Sequence, residues 1–180
     1  MDKRFRLALI VGRFQTLHKG HEDMVAAALA CAQRVGILVG SAQESGTEKN
    51  PFSYEMREEM LRTVFGDRVT VAPLRDIGVG NCAAWGTYVL VSAEEAFGEK
   101  PDLVVSGQEE RRTSWYENEA VAELFIPKTV DMSASRMREF FEQDDRASFE
   151  KYSDPALYDH YEVLRDAVLR ARGVKKTDSI

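Results

Sequence analysis

Apolar residues along this chain form two patterns: short continuous runs, which are typical of buried strands, and a helical period. Short apolar runs predict five strands, over residues 5–11, 35–40, 69–74, 103–106 and 124–126. Between them, apolar positions three and four residues apart predict helices over residues 22–34, 53–65 and 83–97. Towards the end of the chain, the pattern predicts a helix from Ser133 to Phe141 and a final helix that ends near Gly173.

Strands that alternate with helices are joined by crossover connections, which is the pattern of a parallel sheet. We therefore expect an α/β fold: a Rossmann-like, doubly wound, five-stranded parallel sheet with helices on both faces. Residues 1–142 are predicted to form this domain and residues 143–180 a helical C-terminal extension of it. The apolar side of the final helix is expected to pack against the sheet or against a neighbouring subunit, so a homo-oligomer stays an open alternative.

Composition narrows the classes of protein to consider. A chain of 180 residues with 44% hydrophobic residues is ordinary for one globular domain that buries a core. No apolar run approaches the ~20 residues that a membrane span needs, so no membrane partner is expected. The short apolar stretch after the basic N-terminus lacks a small-residue cleavage site, and the expected location is the cytoplasm.

Charge and cysteine content exclude further classes. The net charge of −6 disfavours nucleic acid as a partner. Cationic side chains nevertheless gather at two places: Arg13, His18, Lys19 and His21, and then Arg136 and Arg138. An acidic chain with such local clusters is suited to a small polyanion. Its two cysteines, Cys31 and Cys82, fit no disulfide framework and no metal motif.

The segment from Gly12 to His21 carries the most specific chemistry. It joins the first predicted strand to the first helix, and ligands bind at such turns in parallel α/β sheets. A helix N-terminus offers free N–H donors and a partial positive charge to an anion. The spacing puts His18 in the turn and His21 in the first helical turn, where both can face one bound group. Gly20 lets a phosphate approach the main chain.

A zinc site is the main alternative for these two histidines. Such a site would need a third protein ligand. The remaining histidine, His160, lies far away in a predicted helix, and no thiol pattern assists. We therefore predict phosphate binding and no metal site built by the protein.

Two separate stretches resemble signatures of one superfamily. The run GRFQ at residues 12–15, followed by HKGH at residues 18–21, resembles the (H/T)xGH signature of the nucleotidylyltransferases. The run MSASRMR at residues 132–138 resembles their second signature, ISxTxxR, and keeps an apolar first and a hydroxyl fourth residue. Residues 40–45 and the run NPF at residues 50–52 are similar to archaeal-type nicotinamide-mononucleotide adenylyltransferases. The resemblance extends from about residue 7 to residue 141.

The resemblance implies transfer of an adenylyl group from ATP to the 5′-phosphate of nicotinamide mononucleotide, which gives NAD and pyrophosphate. The attacking phosphate oxygen is already anionic, so catalysis needs alignment and charge neutralisation more than a strong base. Two alternatives stay open. One is a sister transferase that uses nicotinate mononucleotide or another phosphorylated small molecule, and the other is a non-catalytic nucleotide sensor.

The resemblance also implies roles for individual residues. The expected catalytic residues are Arg13, His18, His21 and Arg138. Arg13 and the two histidines would hold the ATP phosphates, and Arg138, assisted by Arg136, would neutralise the leaving pyrophosphate. Ser133 and Ser135 would donate hydrogen bonds to the β- and γ-phosphates. The remaining expected ATP contacts are Gly12, Phe14, Gln15, Gly20 and Gly107. Mg²⁺ is expected to arrive with ATP, mostly water-coordinated.

A second subsite would hold the mononucleotide. Lys49 falls where the family often has an arginine for the mononucleotide phosphate. Trp85 follows the pair Asp76-Ile77, and a tryptophan near such a pair stacks on the nicotinamide ring in the family. A cationic ring is attracted to an indole face. The alternative is that Trp85 belongs to the core, and this chain has about two extra residues before it.

Overall fold

The computed structural model describes residues 3–107, 115–128 and 130–173. Its described strands form one parallel sheet, in the order β3-β2-β1-β4-β5. The strands are β1 (Phe5–Gly12), β2 (Ala32–Val39), β3 (Thr70–Pro73), β4 (Leu103–Ser106) and β5 (Ala122–Phe125). The predicted five-stranded parallel sheet is thus confirmed. Within the predicted C-terminal extension, residues 174–180 lie outside the described part of the chain.

Helices connect and follow these strands. They are α1 (Lys19–Cys31), α2 (Tyr54–Phe65), α3 (Ala83–Phe97), α4 (Ala134–Glu142), α5 (Arg146–Tyr152) and α6 (Tyr161–Ala171). Short 3₁₀ turns cover Gly66–Arg68 and Pro155–His160. The bounds of α1 differ from the prediction at both ends. It begins at Lys19 because His18 caps it, and it ends at Cys31 because Ala32 already pairs with Phe5 in the sheet.

The C-terminal third contains more short elements than the sequence pattern predicted. The pattern predicted one final helix, but a 3₁₀ turn precedes α6. Asp154 starts that turn, since its carboxylate accepts a hydrogen bond of 2.8 Å from the Ala156 N–H. The unpredicted helix α5 is capped by Asp145, which accepts from the Ser148 N–H at 3.0 Å.

Buried side chains form two clusters, one on each face of the sheet. Successive strand residues point to opposite faces. Ala8 and Ile10 of β1 belong to the cluster that includes residues of α1, α2 and the C-terminal helices, whereas Leu7 and Leu9 pack with α3. Helices therefore cover both faces, as predicted. Helix α6 packs against α4, and Leu164 joins the first cluster.

The order of the strands places the loops of interest together. β1 is the middle strand, so the loops after β1, β2 and β4 leave from one edge of the sheet. The Gly40 N–H donates a hydrogen bond of 2.8 Å to the Gly12 carbonyl, which continues the pairing of β1 and β2 into those loops. Among the described residues, no helix has the length and apolar character to cross a membrane.

Candidate active site

The loop after β1 turns sharply over its own aromatic side chain. Phe14 is buried and has a φ of 50°, in the left-handed region. Its ring lies so close to Gly12 that an added Cβ would be 3.0 Å from a ring carbon. The ring also packs on His21, with 4.8 Å between centroids. The structure thus places Gly12 and Phe14 in the frame that holds the histidines.

Gln15 fastens this loop to the segment after β2. Its side-chain amide donates to the Phe52 carbonyl at 3.0 Å, and its oxygen accepts from the Phe52 N–H at 2.9 Å. Gln15 is 2% exposed, so its side chain is committed to these bonds. The NPF run, which ends at Phe52, is therefore a structural partner of the first signature (residues 12–21).

His18 and His21 lie against each other at the start of α1. Their ring centroids are 3.9 Å apart. His18 is the N-cap, and its Nδ1 accepts from the Gly20 N–H at 3.2 Å. A Cβ at Gly20 would lie 3.1 Å from the His18 ring, so the glycine makes room for that imidazole. The Nδ1 atom of His21 is buried and has no hydrogen-bond partner within the described structure.

Both rings are neutral at ordinary pH. Burial lowers the pKa of His18 to about 4, and the positive charge of Lys128 adds to this. Burial also lowers the pKa of His21, and the adjacent His18 adds to the effect. Neutral imidazoles act here as directional N–H donors or acceptors rather than as fixed charges. Lys128, whose charge acts on His18, is a cation that the sequence patterns did not single out.

The second signature (residues 132–138) forms the start of α4. Ser133 caps the helix, since its Oγ accepts from the Arg136 N–H at 3.2 Å. The Oγ of Ser135 accepts from Nη2 of Arg138 at 3.2 Å. Nη1 of the same guanidinium donates to the main-chain carbonyl of Gln15 at 2.6 Å. Arg138 thereby brings the two signatures into one site.

Arg136 occupies a different position from Arg138. It is exposed, and its guanidinium lies 3.6 Å from the carboxylate of Asp131. Residues two apart on a helix point to different sides. The structure therefore joins Arg138, and not Arg136, to the loop after β1 by a described hydrogen bond.

Lys49 shares a cavity with the second signature. The cavity has a volume of about 260 Å³. Its lining consists of Glu48, Lys49, Ser135, Arg138, Glu139, Glu142 and Arg172. Lys49 and Arg138 are distant in sequence, and the fold brings both of them to one cavity together with three carboxylates.

The predicted ring subsite lies at the loop between β3 and α3. The side chain of Gln43 bonds to both the N–H and the carbonyl of Asp76, at 3.1 and 3.0 Å. Next to Asp76, Ile77 is 47% exposed. Trp85, in the first turn of α3, is half-buried against Trp115, with 6.0 Å between ring centroids.

Arg57 is a buried cation that the sequence patterns missed. It is 0% exposed, and burial lowers its pKa to about 10, so it stays charged. Its guanidinium donates to the carbonyls of Ser53, Arg13, Gly40 and Ser41, at 3.1, 3.1, 2.8 and 3.2 Å. Arg57 thus binds the loop after β1 to the loop after β2 directly beneath Arg13, whose own side chain is exposed.

One further predicted residue, Gly107, can be placed. Gly107 follows β4 at the same edge of the sheet, and a Cβ there would lie 3.2 Å from Sδ of Met24 in α1. Across the described ranges, no three His, Cys, Asp or Glu side chains are grouped so that they could hold a metal ion.

Comparison with known proteins places the chain in a family. A family model described as cytidylyltransferase-like matches residues 9–140, a span that contains both signatures. The chain belongs to that family. The predicted membership of the nucleotidylyltransferases is therefore confirmed.

Two curated relatives are archaeal enzymes. The nicotinamide-nucleotide adenylyltransferase of Thermococcus kodakarensis is 36% identical over 135 residues, which are 72% of this chain and 63% of that protein. The enzyme of the same name from Thermococcus onnurineus is 35% identical over 142 residues, 76% of this chain and 65% of that protein. The chain thus spans somewhat less than two thirds of the length of these two relatives.

A solved structure shows the same fold. It is a bifunctional NMN adenylyltransferase/ADP ribose pyrophosphatase from Francisella tularensis, complexed with AMP and a manganese ion. The TM-score is 0.74 at 22% identity, and the match covers 94% of this chain and 52% of that one. The predicted Rossmann-like α/β fold is confirmed by this likeness.

Proposed function

We propose that the chain is an adenylyltransferase that moves AMP from ATP to the 5′-phosphate of nicotinamide mononucleotide, giving NAD and pyrophosphate. The observation that carries the proposal is the 2.6 Å hydrogen bond from Arg138 to the Gln15 carbonyl, which joins the two signatures in one site. The name of the two archaeal relatives at 35–36% identity supports the same activity.

In this reaction a phosphate oxygen of the mononucleotide attacks the α-phosphorus of ATP. The new P–O bond forms as the bond from the α-phosphorus to the bridging oxygen of the β-phosphate breaks, and pyrophosphate leaves with that electron pair. The attacking oxygen is anionic, so no proton has to be removed from it. The protein's contribution is to align two polyanions and to offset their repulsion.

The charged residues divide this task by their position. Arg138 and the exposed Arg13 are close enough for the charge of Arg13 to lower the pKa of Arg138 further below its burial-lowered value. A pair of cations that repel each other without a ligand gains stabilisation when a polyanion binds between them. We assign Arg13 and Arg138 to the ATP phosphates and Lys49 to the phosphate of the acceptor.

The histidines contribute direction rather than charge. The neutral rings of His18 and His21 stand at the N-terminus of α1, where main-chain N–H groups also favour an anion. We assign them to the α-phosphate, where negative charge changes position during the transfer. Such preorganised donors typically account for about 10²–10³ in turnover each.

Mg²⁺ would enter as part of the substrate, bound to the phosphates of ATP. The described residues offer no cluster of three candidate metal ligands, and a phosphate-bound Mg²⁺ with several waters needs none. The protein's cations then act on the phosphate oxygens that the metal leaves free.

The pyridine ring of the acceptor would be recognised by apolar side chains. Trp85 and Ile77 would form the apolar surface for a pyridine ring, and the cationic ring of nicotinamide mononucleotide favours an indole face. Nicotinate mononucleotide differs by one carboxylate, so the two acceptors must be compared directly.

A product assay tests the proposal. Purified protein, ATP and Mg²⁺ are offered nicotinamide mononucleotide, nicotinate mononucleotide or phosphopantetheine, and pyrophosphate and dinucleotide are quantified. We expect NAD formation at a kcat/KM higher than for either other acceptor. A preference for nicotinate mononucleotide would contradict the assigned acceptor. ATP binding with no pyrophosphate from any acceptor would contradict catalysis and favour a sensor.

A further inference from the structure

Arg172, just after the end of α6, joins two acidic side chains at the edge of the candidate active site. Its Nη2 lies 3.0 Å from the carboxylate of Glu48, in the loop that carries Lys49. Its Nε lies 2.9 Å from the carboxylate of Glu142, the last residue of α4. All these residues line the 260 Å³ cavity that also contains Arg138.

The C-terminal helix is held so that Arg172 reaches this place. Leu164 and Val168 of α6 are buried in the main core cluster. Arg165 donates to the Phe141 carbonyl at 3.1 Å and pairs with Asp144 at 3.0 Å, which fastens α6 to the end of α4. The position of Arg172 therefore follows from the packing of α6 and not from its own ion pairs alone.

Arg172 balances the charge of the residues that line the cavity. The lining contains three carboxylates, Glu48, Glu139 and Glu142, and three cations, Lys49, Arg138 and Arg172. The lining is neutral with Arg172 in place. Without Arg172, the carboxylates of the lining outnumber its cations by one, and Glu48 and Glu142 lose their ion-pair partner. Unpaired carboxylates beside Lys49 repel an incoming phosphate and compete for that cation.

We propose that Arg172 is a positioning residue for the acceptor-phosphate subsite: it neutralises Glu48 and Glu142 so that Lys49 stays available to the phosphate of the mononucleotide. This inference rests on the proposed function. Exposed ion pairs contribute little to folding, and the side chain of Arg172 is 41% exposed. The effect of Arg172 thus falls on phosphate affinity rather than on stability.

The first test removes the charge. Arg172→Met is compared with Arg170→Met, which removes a cation from the last turn of the same helix. We expect Arg172→Met to raise KM for nicotinamide mononucleotide about fivefold, the size of one exposed charge interaction, with kcat and KM for ATP within twofold. Arg170→Met leaves all three unchanged, and Arg172→Lys stays close to wild type. A rise that Arg170→Met shares, or no rise at all, overturns the inference.

The second test removes the repulsion. In the triple variant Arg172→Met, Glu48→Gln, Glu142→Gln, the unpaired carboxylates are gone, and we expect KM for the mononucleotide to return to within twofold of wild type. A triple variant that keeps the raised KM shows that Arg172 acts by some other route, and the inference is wrong. Urea unfolding of each variant accompanies the kinetics, because a loss of folded protein lowers the active fraction and the apparent kcat, whereas the proposed loss of phosphate affinity raises KM.

The outcomes separate this inference from the proposed function. A wild-type protein that forms no dinucleotide from any acceptor contradicts the function on which the inference rests. An active wild type with an unchanged Arg172→Met variant contradicts the inference about Arg172 alone.

Discussion

The guanidinium of Arg138 donates a hydrogen bond of 2.6 Å to the main-chain carbonyl of Gln15, a residue 123 positions earlier in the chain. Gln15 is itself fixed by two hydrogen bonds to the main chain of Phe52. Its neighbour Phe14 packs on the ring of His21. One arginine therefore links the start of α4 to the loop that supports the histidines, and a change at Arg138 alters both charge and loop geometry.

Replacement of Arg138 tests this link. The planar fork reaches Ser135 and Gln15 at the same time, and the single ammonium of a lysine cannot reproduce that geometry. We expect Arg138→Lys to lower turnover by about 10²-fold and Arg138→Met by about 10²–10³-fold. Steady-state pyrophosphate release measures both.

The control for Arg138 is Arg146→Lys, which alters a surface cation that pairs with Glu150 four residues later on α5. It should leave turnover within twofold of wild type. If Arg138→Met also stays within twofold, the second signature is not part of the working site.

The lowered pKa of His18 predicts how stability depends on pH. In the unfolded chain His18 takes up a proton near the ordinary histidine pKa of 6.5, whereas in the folded protein its pKa is about 4. Between these values only the unfolded chain binds the proton, so the free energy of unfolding falls as the pH is lowered. We expect His18 to account for a loss of about 2 kcal/mol between pH 7 and pH 5.

Urea unfolding of His18→Asn at both pH values checks this. Asparagine keeps an oxygen that can cap α1, but it has no titrating group. The difference between pH 7 and pH 5 should shrink by about 2 kcal/mol relative to wild type. His160→Asn, which removes the histidine outside the site, serves as the control. An unchanged pH difference in His18→Asn would show that His18 titrates normally in the folded protein.

Replacement of Trp85 tests whether its indole binds the ligand or belongs to the core. It is half-buried, and its ring contacts Tyr88 and Trp115 at centroid distances of 5.4 and 6.0 Å. We expect Trp85→Ala to weaken binding of nicotinamide mononucleotide by about 0.5–2 kcal/mol, because the cationic ring loses an aromatic face. Calorimetric titration with the mononucleotide and, separately, with ATP measures the two affinities.

Trp85→Phe is the matched variant, since it keeps an aromatic face and should retain most of the mononucleotide affinity. Equal losses for both ligands in Trp85→Ala, together with a lower melting temperature, would identify Trp85 as a core residue instead.

The sequence predicted the sheet because its strands bear a local signal. Each strand is a short apolar run, and the helices between them have apolar stripes at the spacing of a turn. The start of α1 was predicted too late because histidine is not a preferred N-cap and Gly20 weakens a helical pattern. Helix α5 was missed because its short span buries only Phe149, which leaves no period to detect.

The candidate site was predictable in its residues but not in their contacts. Both signatures stand in the sequence, yet nothing local indicates that the Gln15 carbonyl is the partner of Arg138. Arg57 shows the same limit more sharply. An arginine on an amphipathic helix is expected on the solvent side, and only the fold shows that Arg57 is fully buried beneath two loops. Long-range hydrogen bonds of this kind produce no periodic pattern in the sequence.

Replacement of Arg57 tests whether that buried cation sets the shape of the site. Its guanidinium donates to four carbonyls, those of Ser53, Arg13, Gly40 and Ser41, and the three donors of a lysine ammonium cannot replace all four bonds. A buried group left unpaired costs about 1–3 kcal/mol. We therefore expect Arg57→Lys to lower the free energy of unfolding by about 2 kcal/mol and to weaken ATP binding as the loop that carries Arg13 loosens.

Arg62→Lys is the matched control for Arg57, because Arg62 lies on the same helix but is exposed and pairs only with Glu58 in the described contacts. It should change stability by no more than about 0.5 kcal/mol. Urea unfolding and ATP titration of the two variants decide the matter. Similar losses in both would show that Arg57 contributes no more than an exposed arginine of the same helix. A loss confined to Arg57→Lys would show that this buried cation sets the geometry of the loops after β1 and β2.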